Sequence, residues 1–232
     1  MIFAAGLGTR LRPLTDTMPK ALVTFKGRTL LENAIMHLRS AGVTSIIINV
    51  HHFASQIIDF LDKHDRFGMD IRISDERDYL LDTGGGLEKA APFFDDGNPF
   101  IVYNVDVISD LNLASVMEYH NREKALATLI VRDRVTSRYF LFNEHNLLCG
   151  WTNVKTQEKI FTKQENGALR LLAFSGIQVI DPSIFPLITE KGAFSIIKVY
   201  LRLSTSHKIL GFVDDKSYWK DAGRSLEDLN KE

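Results

Sequence analysis

Short apolar runs alternate with longer amphipathic segments through the first half of the chain. The runs are rich in β-branched residues and predict strands over residues 2–4, 45–50, 70–74 and 99–103. Apolar residues recur at helical spacing over residues 29–41, 55–67 and 113–120. Thr29 is suited to cap the first of these helices and Gly42 to end it. Strands that alternate with helices predict a parallel sheet.

The second half of the chain has a β-rich pattern. Strands are expected over residues 125–131, 138–142, 159–162, 172–180 and 208–213, and short helices are expected from Pro182 and over residues 194–203. An insertion of this kind is typical of a wall over a pocket that the first half builds. Because no linker or repeat separates the halves, we expect one α/β domain over residues 1–232.

Composition and charge narrow the class of partner. Apolar residues make up 45% and charged residues 25% of the 232 positions, and the net charge is −1. This balance excludes a disordered acidic chain and a polybasic nucleic-acid clamp. No apolar stretch is long enough to span a bilayer, and the single cysteine, Cys149, cannot form an internal disulfide. We therefore expect a cytoplasmic protein that binds neither nucleic acid nor membrane.

The charges are nevertheless unevenly distributed along the chain. Residues 1–39 contain six basic and two acidic side chains, whereas residues 95–110 contain four aspartates and no base. A local excess of positive charge suits an anionic ligand, and a local excess of carboxylates suits a cation.

A glycine-rich segment follows the first strand. Residues 3–15 read Phe-Ala-Ala-Gly-Leu-Gly-Thr-Arg-Leu-Arg-Pro-Leu-Thr, and Pro19 and Lys20 follow. Paired glycines let backbone N–H groups approach an anion, although they also form ordinary tight turns. The segment lacks the third glycine of the dinucleotide fingerprint and the Gly-Lys-Ser/Thr ending of a Walker loop. Neither common nucleotide motif fits.

This segment resembles the signature of the sugar-1-phosphate nucleotidylyltransferases, also called nucleotide-sugar pyrophosphorylases. The resemblance continues through residues 49–52, Thr83-Gly84-Gly85-Gly86-Leu87, Asn104-Val105-Asp106, Phe174-Ser175-Gly176-Ile177 and Trp219-Lys220-Asp221-Ala222-Gly223. The chain is most similar to the small bacterial N-acetylmuramate-1-phosphate uridylyltransferases and to mannose-1-phosphate guanylyltransferase-like proteins. The resemblance implies a Rossmann-like, mixed and mainly parallel sheet flanked by helices, in a glycosyltransferase-A-like nucleotidyltransferase fold. Residues 1–124 would form mainly the nucleotide side, and residues 125–232 mainly the β-rich sugar side.

The resemblance also implies a reaction and its residues. A sugar 1-phosphate would attack the α-phosphate of UTP or GTP in the presence of Mg²⁺, giving an NDP-sugar and pyrophosphate. Arg10 would hold the leaving phosphates, and Lys20 would bridge the α-phosphate and the sugar phosphate. The remaining contacts are expected from Ala4, Ala5, Gly6, Gly8, Thr9 and Gly85 for the nucleotide, Ser175 and Gly176 for the sugar, and Asp106 and Asp221 for Mg²⁺.

Three further expectations concern the walls of the pocket. The triple glycine at 84–86 is interpreted as a loop before a helix over residues 87–91, with its backbone against the nucleobase. Residues 132–134, Arg-Asp-Arg, are interpreted as a solvated strand end, and the nearby aromatic cluster (Tyr139, Phe140, Phe142) as core of the insertion. Larger relatives hold the sugar phosphate with the lysine of a Glu-Lys-Pro segment; this chain has Lys163 without a proline there, which leaves its role open.

Other functions stay open beside this interpretation. Phosphocholine cytidylyltransferase is a more distant enzymatic alternative, and a non-catalytic regulatory domain of the same fold would bind a nucleotide sugar. The presence of Arg10, Lys20, Asp106 and Asp221 together argues against a degenerate binding domain. A Rossmann oxidoreductase is disfavoured, because no acidic residue follows a three-glycine fingerprint at the expected distance.

Overall fold

The computed structural model describes residues 1–164 and 167–223. In this part of the chain the strands are β1 Ile2–Phe3, β2 Thr24–Phe25, β3 Arg28–Thr29, β4 Ser45–Val50, β5 Asp70–Asp75, β6 Phe100–Asn104, β7 Val107–Ser109, β8 Ala127–Arg132, β9 Arg138–Phe142, β10 Leu148–Asn153, β11 Glu158–Phe161, β12 Arg170–Ile180, β13 Ile209–Val213 and β14 Trp219–Asp221. The helices are α1 Leu30–Ser40, α2 Ala54–Lys63, α3 Asp82–Ala90, α4 Leu113–Glu123 and α5 Ile196–Leu203. Short 3₁₀ turns connect several of them.

Strands from both halves of the chain form one mixed sheet. Its order is β11-β10-β9-β12-β6-β1-β4-β5, with β8 paired to β12 and β13 paired to β8. β5, β4, β1 and β6 run parallel to one another, whereas β12 runs antiparallel to β6, β8 and β9. The long strand β12 therefore joins the parallel first half to the antiparallel second half.

Helix α1 shows how local sequence sets an element. The Thr29 hydroxyl accepts a hydrogen bond from the backbone N–H of Glu32 at 3.0 Å, which satisfies one of the free donors at the helix start. The apolar stripe predicted for this helix is fully buried from Leu30 to Leu38, and its last member, Ala41, lies just beyond the helix and is partly buried. Burying each large aliphatic side chain contributes about 1.5–3 kcal/mol. The predicted cap and apolar face of α1 are confirmed.

Helix α2 is shorter than its apolar spacing predicts. It ends at Lys63, and the 3₁₀ turn Asp65–Gly68 follows, with left-handed backbone at Arg66 and Phe67 (φ 46° and 56°). The chain must turn back there to enter β5, and the Arg66 guanidinium fixes the turn by donating to the carbonyl of Ile71 at 2.6 Å. Tertiary contacts thus end the helix before its apolar spacing ends.

The carboxyl ends of β1, β4 and β6 lie side by side, because these strands are parallel neighbours. Ligands bind at this edge in α/β sheets. Helix α3 packs close to β4 and β5, and the segment that contains β14 pairs with β7 just beyond β6. No helix in the described ranges has the length and apolar character needed to cross a bilayer.

Candidate active site

A cavity of about 450 Å³ opens at the carboxyl ends of the parallel strands. We call it the first cavity. It is lined by Phe3, Ala4, Ala5, Gly6, Lys20, Asn49, Glu76, Leu80, Asp82, Thr83, Asn104, Val105, Asp106 and Ala193. The structure therefore brings together several of the predicted site residues, which come from the end of β1, the loop after it and the end of β6.

Lys20 and Asp106 form an ion pair in the wall of the first cavity. The Lys20 Nζ donates to Asp106 Oδ2, and the two side chains are 12% and 15% exposed. Gly223 lies directly against this pair, so that a Cβ at position 223 would overlap both side chains. Only glycine allows the backbone of the last described segment to approach the pair this closely. A cation and a carboxylate are thus fixed beside each other where a ligand would lie.

The glycine-rich loop has its own local geometry. Gly8 has left-handed backbone (φ 64°) and precedes a 3₁₀ turn over Thr9–Leu11. The Gly8 carbonyl accepts hydrogen bonds from Thr15 Oγ1 and from the Leu11 N–H, both at 2.9 Å. This turn carries Arg10 away from the first cavity and into the wall of a second one. Gly8 and Thr9 line neither cavity.

A buried polar network lies in the wall of the first cavity, and its side chains were not among the predicted site residues. Asn49 Oδ1 accepts the N–H of Ala4 at 2.7 Å, and Asn49 Nδ2 donates to Glu76 Oε1 at 2.7 Å. Glu76 Oε2 accepts the N–H of Leu81 at 3.2 Å. Burial raises the pKa of Glu76. The available signal in the sequence was a polar Asn49 within the otherwise apolar β4.

The triple glycine corrects a prediction. Gly84, Gly85 and Gly86 lie within helix α3, which begins at Asp82, and not in a loop before a helix over residues 87–91. The N–H groups of Gly84 and Gly85 donate to the carbonyl of Phe194 at 2.8 and 3.4 Å. Glycine is required because side chains here would overlap neighbouring segments, so packing outweighs its low helix propensity. Gly85 does not line the first cavity; Thr83 does.

A second cavity of about 530 Å³ lies towards the β-rich half. It is lined by Arg10, Arg134, Thr136, Ser137, Arg138, Tyr139, Phe140, Trp151, Phe174, Ile197 and Asp221. The backbones that carry the two predicted metal ligands are adjacent, since the N–H of Ala222 donates to the carbonyl of Asp106 at 2.9 Å. Asp106 thus lines the first cavity, and Asp221 the second.

The predicted sugar contacts lie behind the second cavity. Ser175 is 1% exposed, and its carbonyl accepts the Trp219 Nε1 at 2.7 Å. Gly176 has left-handed backbone (φ 79°) and packs against Asn104 and Val107. Of this segment, only Phe174 lines the cavity. Direct sugar contact by Ser175 and Gly176 stays a prediction, and their visible role is to hold Trp219 and β12 in place.

The interpretation of residues 132–134 as a solvated strand end is wrong for both arginines. Arg132 pairs with Asp214 at 2.9 Å, and the two side chains are 12% and 9% exposed. Arg134 is half-buried and lies over the Trp219 ring, with Cζ 4.5 Å from the ring centroid. The sequence places them at the end of a strand, but Asp214 and Trp219 come from more than 80 residues further along and cover them.

The aromatic cluster divides between core and cavity. Phe140 and Phe142 are 3% and 0% exposed, which confirms them as core. Tyr139 is half-buried and lines the second cavity. Cys149 is fully buried, as expected for a packed thiol.

The carboxylates available at this site fit Mg²⁺ only if a bound ligand supplies further oxygen atoms to the ion. In the described residues no group of three or more His, Cys, Asp or Glu side chains could hold a metal ion. Asp106 and Asp221 supply two carboxylates from adjacent backbone segments. Mg²⁺ commonly takes one or two carboxylates, with water and phosphate oxygens as its other ligands. The donor set therefore fits Mg²⁺ bound together with a phosphate compound.

Comparison with protein families shows the family to which the chain belongs. The family model described as nucleotidyl transferase matches residues 1–231 of the 232. The chain belongs to the nucleotidyl transferase family. The family resemblance in the sequence motifs is therefore confirmed.

Two relatives of this nucleotidyl transferase are both named as nucleotide transferases for a sugar 1-phosphate. An N-acetylmuramate alpha-1-phosphate uridylyltransferase from Caulobacter vibrioides is 29% identical over 229 residues, which is 96% of this chain and 90% of that protein. A mannose-1-phosphate guanyltransferase from Yarrowia lipolytica is 30% identical over 99% of this chain. The chain spans 62% of the length of that second relative.

Solved structures of the nucleotidyl transferases share the fold. HddC from Yersinia pseudotuberculosis complexed with GMP-PN has a TM-score of 0.76 at 23% identity, over 98% of this chain and 94% of that one. A UDP-glucose pyrophosphorylase from Acinetobacter baumanii has a TM-score of 0.78 at 17% identity, over 98% and 89%. The predicted fold class, a mixed and mainly parallel central sheet flanked by helices, is confirmed, and the strands of the second half add antiparallel pairs to it.

Proposed function

We propose that this chain transfers a nucleotidyl group from a nucleoside triphosphate to a sugar 1-phosphate, giving an NDP-sugar and pyrophosphate. The observation that carries the proposal is that two cavities are lined from adjacent backbone segments, since Asp106 lines the first, Asp221 lines the second, and the N–H of Ala222 donates to the carbonyl of Asp106. The first cavity carries Lys20 and Asp106, and the second carries Arg10 and Asp221. Each of the two reactants would have a cavity of its own, with charged side chains in both.

Placement of charge is the main catalytic requirement of this reaction. Both reactants are anions, and two unit charges about 4 Å apart repel by about 4 kcal/mol at an effective dielectric near 20. Lys20 would lie between the α-phosphate and the incoming sugar phosphate. Arg10 lines the second cavity, so its role at the leaving phosphates requires the triphosphate to extend from the first cavity towards the second. No protein nucleophile is needed, because positioning and charge stabilisation suffice.

The residues suited to hold Mg²⁺ are Asp106 and Asp221. Bound there with the nucleotide, the ion would supply positive charge to the phosphates. The Asp106 carboxylate contacts Lys20 in the present structure. Binding of the metal and nucleotide would therefore free the Lys20 ammonium to contact phosphate oxygens.

The first-choice substrates are UTP and N-acetylmuramate 1-phosphate. The Caulobacter relative that carries this name matches nearly the full length of both chains, which supports the choice. GTP with mannose 1-phosphate is the second candidate, favoured by the similar identity of the Yarrowia protein. We further propose that both halves act as one catalytic domain, with residues 1–124 on the nucleotide side and residues 125–232 on the sugar side, in the cytoplasm.

Pyrophosphate release tests this function directly. The purified chain is incubated with Mg²⁺ and each pairing of UTP, GTP, CTP and dTTP with N-acetylmuramate, mannose, glucose and heptose 1-phosphates. We expect release with UTP or GTP and one of these sugars. Lys20→Ala is expected to lower turnover at least about a hundredfold, the scale of losing one transition-state donor.

A matched lysine variant controls for changes in the fold. Lys63→Ala alters an exposed lysine at the end of α2 and should leave turnover unchanged. If the wild-type chain released no pyrophosphate with any pairing, the result would contradict the proposal and favour a regulatory domain that binds nucleotide sugars. Near-normal turnover of Lys20→Ala would remove the assigned role of that lysine.

A further inference from the structure

The second cavity has a marked excess of positive charge. Among the residues that the structure describes, Arg10, Arg134 and Arg138 line it, and Asp221 is the one carboxylate in its wall. A phosphate monoester carries a charge of about −1.5 to −2 at neutral pH. Because Arg10 is assigned to the leaving phosphates and Asp221 to Mg²⁺, Arg134 and Arg138 remain, and their two positive charges match one phosphate monoester. Its remaining wall is aromatic, from Tyr139, Trp151 and Phe174 among others, and such faces pack well against the C–H groups of a sugar ring.

Arg134 differs from the other two arginines in how firmly it is held. Its Nη2 donates to the carbonyl of Phe174 at 3.0 Å, and its guanidinium lies over the Trp219 ring. Trp219 is itself anchored, because its Nε1 donates to the carbonyl of Ser175 at 2.7 Å. Arg138 is exposed by comparison. An immobilised guanidinium loses little conformational entropy when it binds an anion, and arginine keeps its positive charge when it is partly buried.

Lys163 is the candidate that the sequence suggests for holding the sugar phosphate, but it lies outside the second cavity. Its neighbour Thr162 accepts a hydrogen bond from Ser204 Oγ at 2.7 Å, at the carboxyl end of α5. Ile197, which lines the second cavity, lies at the other end of that helix. At about 1.5 Å per residue, the eight-residue helix separates the two ends by about 10 Å. Lys163 lines neither of the two cavities.

We infer that Arg134 is the residue that receives the phosphate of the sugar 1-phosphate in this chain. The inference rests on the proposed function, since that function supplies the ligand. Arg134 holds the phosphate from the side of Trp219, while Lys20 approaches it from the first cavity. Trp219 and Asp221 lie in the same strand, β14, so one short segment places both the support for Arg134 and a predicted metal ligand.

Direct binding tests the assignment without requiring turnover. N-acetylmuramate, mannose and glucose 1-phosphates are titrated against the full chain by calorimetry, and tryptophan emission is followed in parallel because Trp151 lines the cavity and Trp219 lies under Arg134. We expect Arg134→Gln to weaken binding of the preferred sugar 1-phosphate at least about tenfold, the scale of losing charge-assisted hydrogen bonds. Arg134→Lys keeps the charge and should restore part of the affinity. Lys163→Gln should bind like the wild type.

The steady-state parameters give the second readout. With the pair of substrates that the wild type uses, Arg134→Gln should raise the KM for the sugar 1-phosphate while the KM for the nucleotide stays within about twofold. A KM for the nucleotide that rises equally would assign Arg134 a general structural role and overturn the inference. Unchanged sugar-phosphate binding by Arg134→Gln, a loss in Lys163→Gln, or no binding to the wild type would also overturn it. Failure of pyrophosphate release alone would instead contradict the proposed function, because the binding measurement does not depend on it.

Discussion

Glu76 is a carboxyl group held almost out of water at the edge of the first cavity. It is 1% exposed and is a hydrogen-bond acceptor for Asn49 and for the backbone of Leu81. Asn49 in turn holds the N–H of Ala4, where β1 ends and the glycine-rich loop begins. Three strand ends and the start of α3 are therefore tied together by two side chains. Such a network is expected to set the geometry of the loop.

The raised pKa of Glu76 predicts a specific pH dependence of stability. Burial raises this pKa above its ordinary value near 4.5. The stability that the neutral acid contributes is present below the ordinary pKa and is lost as the pH rises through the raised value. Glu76→Gln cannot ionise, but it leaves one buried donor unpaired at a cost of about 1–3 kcal/mol. The free energy of unfolding of the wild type, minus that of Glu76→Gln, should therefore fall as the pH rises above about 4.5 and through the raised pKa.

Urea unfolding at a series of pH values measures this difference. Glu118→Gln, which changes an exposed glutamate on α4, provides the control and should differ from the wild type by a constant amount. A gap between the wild type and Glu76→Gln that stays constant or widens with pH would show that burial does not raise the pKa of Glu76 as described.

Helix α3 depends on close packing more than on helix propensity. Exposed Gly→Ala substitutions inside helices are stabilising by about 1 kcal/mol. At Gly84, however, a Cβ would overlap the Phe194 ring and approach the Phe194 carbonyl to 2.8 Å. Phe194 is buried and its backbone is tied to α3, so it has little room to move. The contact joins the first half of the chain to the segment that leads into α5.

We predict that Gly84→Ala destabilises the protein by about 1–3 kcal/mol, the cost typical of overpacking. For a chain of this size each kcal/mol lowers the melting temperature by about 2–4 °C. Gly167→Ala is the matched control, because a Cβ there meets nothing within 4 Å and the backbone is not left-handed. Thermal unfolding followed by circular dichroism measures both. A Gly84→Ala variant as stable as Gly167→Ala would contradict the packing argument.

Elements whose pattern is local were predictable from the sequence, and those set by long-range contact were not. Strand β4 and strand β9 match their predicted bounds, because an apolar or alternating run defines each of them. Strand β10 was missed, since Gly150 interrupts its pattern; a Cβ there would overlap the carbonyl of Ile160 in the adjacent strand. The motifs predicted Lys20 and Asp106, whereas the positions of Glu76 and Arg134 depend on partners far away in sequence.

At the scale of the whole molecule, the near-zero net charge averages over two opposed groups. The basic first segment and the acid-rich segment over residues 95–110 meet at the ion pair of Lys20 and Asp106. Asp221 joins them because β14 pairs with β7, immediately after Asp106. Parallel strands, a returning segment and a close approach of Gly223 thus bring together charges that lie up to about 200 residues apart. This convergence predicts that metal and nucleotide bind as one unit.

Removal of Mg²⁺ should therefore abolish both turnover and tight nucleotide binding. Asp106 and Asp221 supply too few ligands to hold the ion without phosphate oxygens, so affinity for Mg²⁺ alone should be weak. Calorimetric titration of UTP and GTP with Mg²⁺ or with excess chelator measures the coupling. Asp221→Asn should shift half-saturation for Mg²⁺ to higher concentration while melting near the wild-type temperature. Full turnover in excess chelator would remove both aspartates from metal binding, and an unaltered Mg²⁺ requirement in Asp221→Asn would remove Asp221 from it.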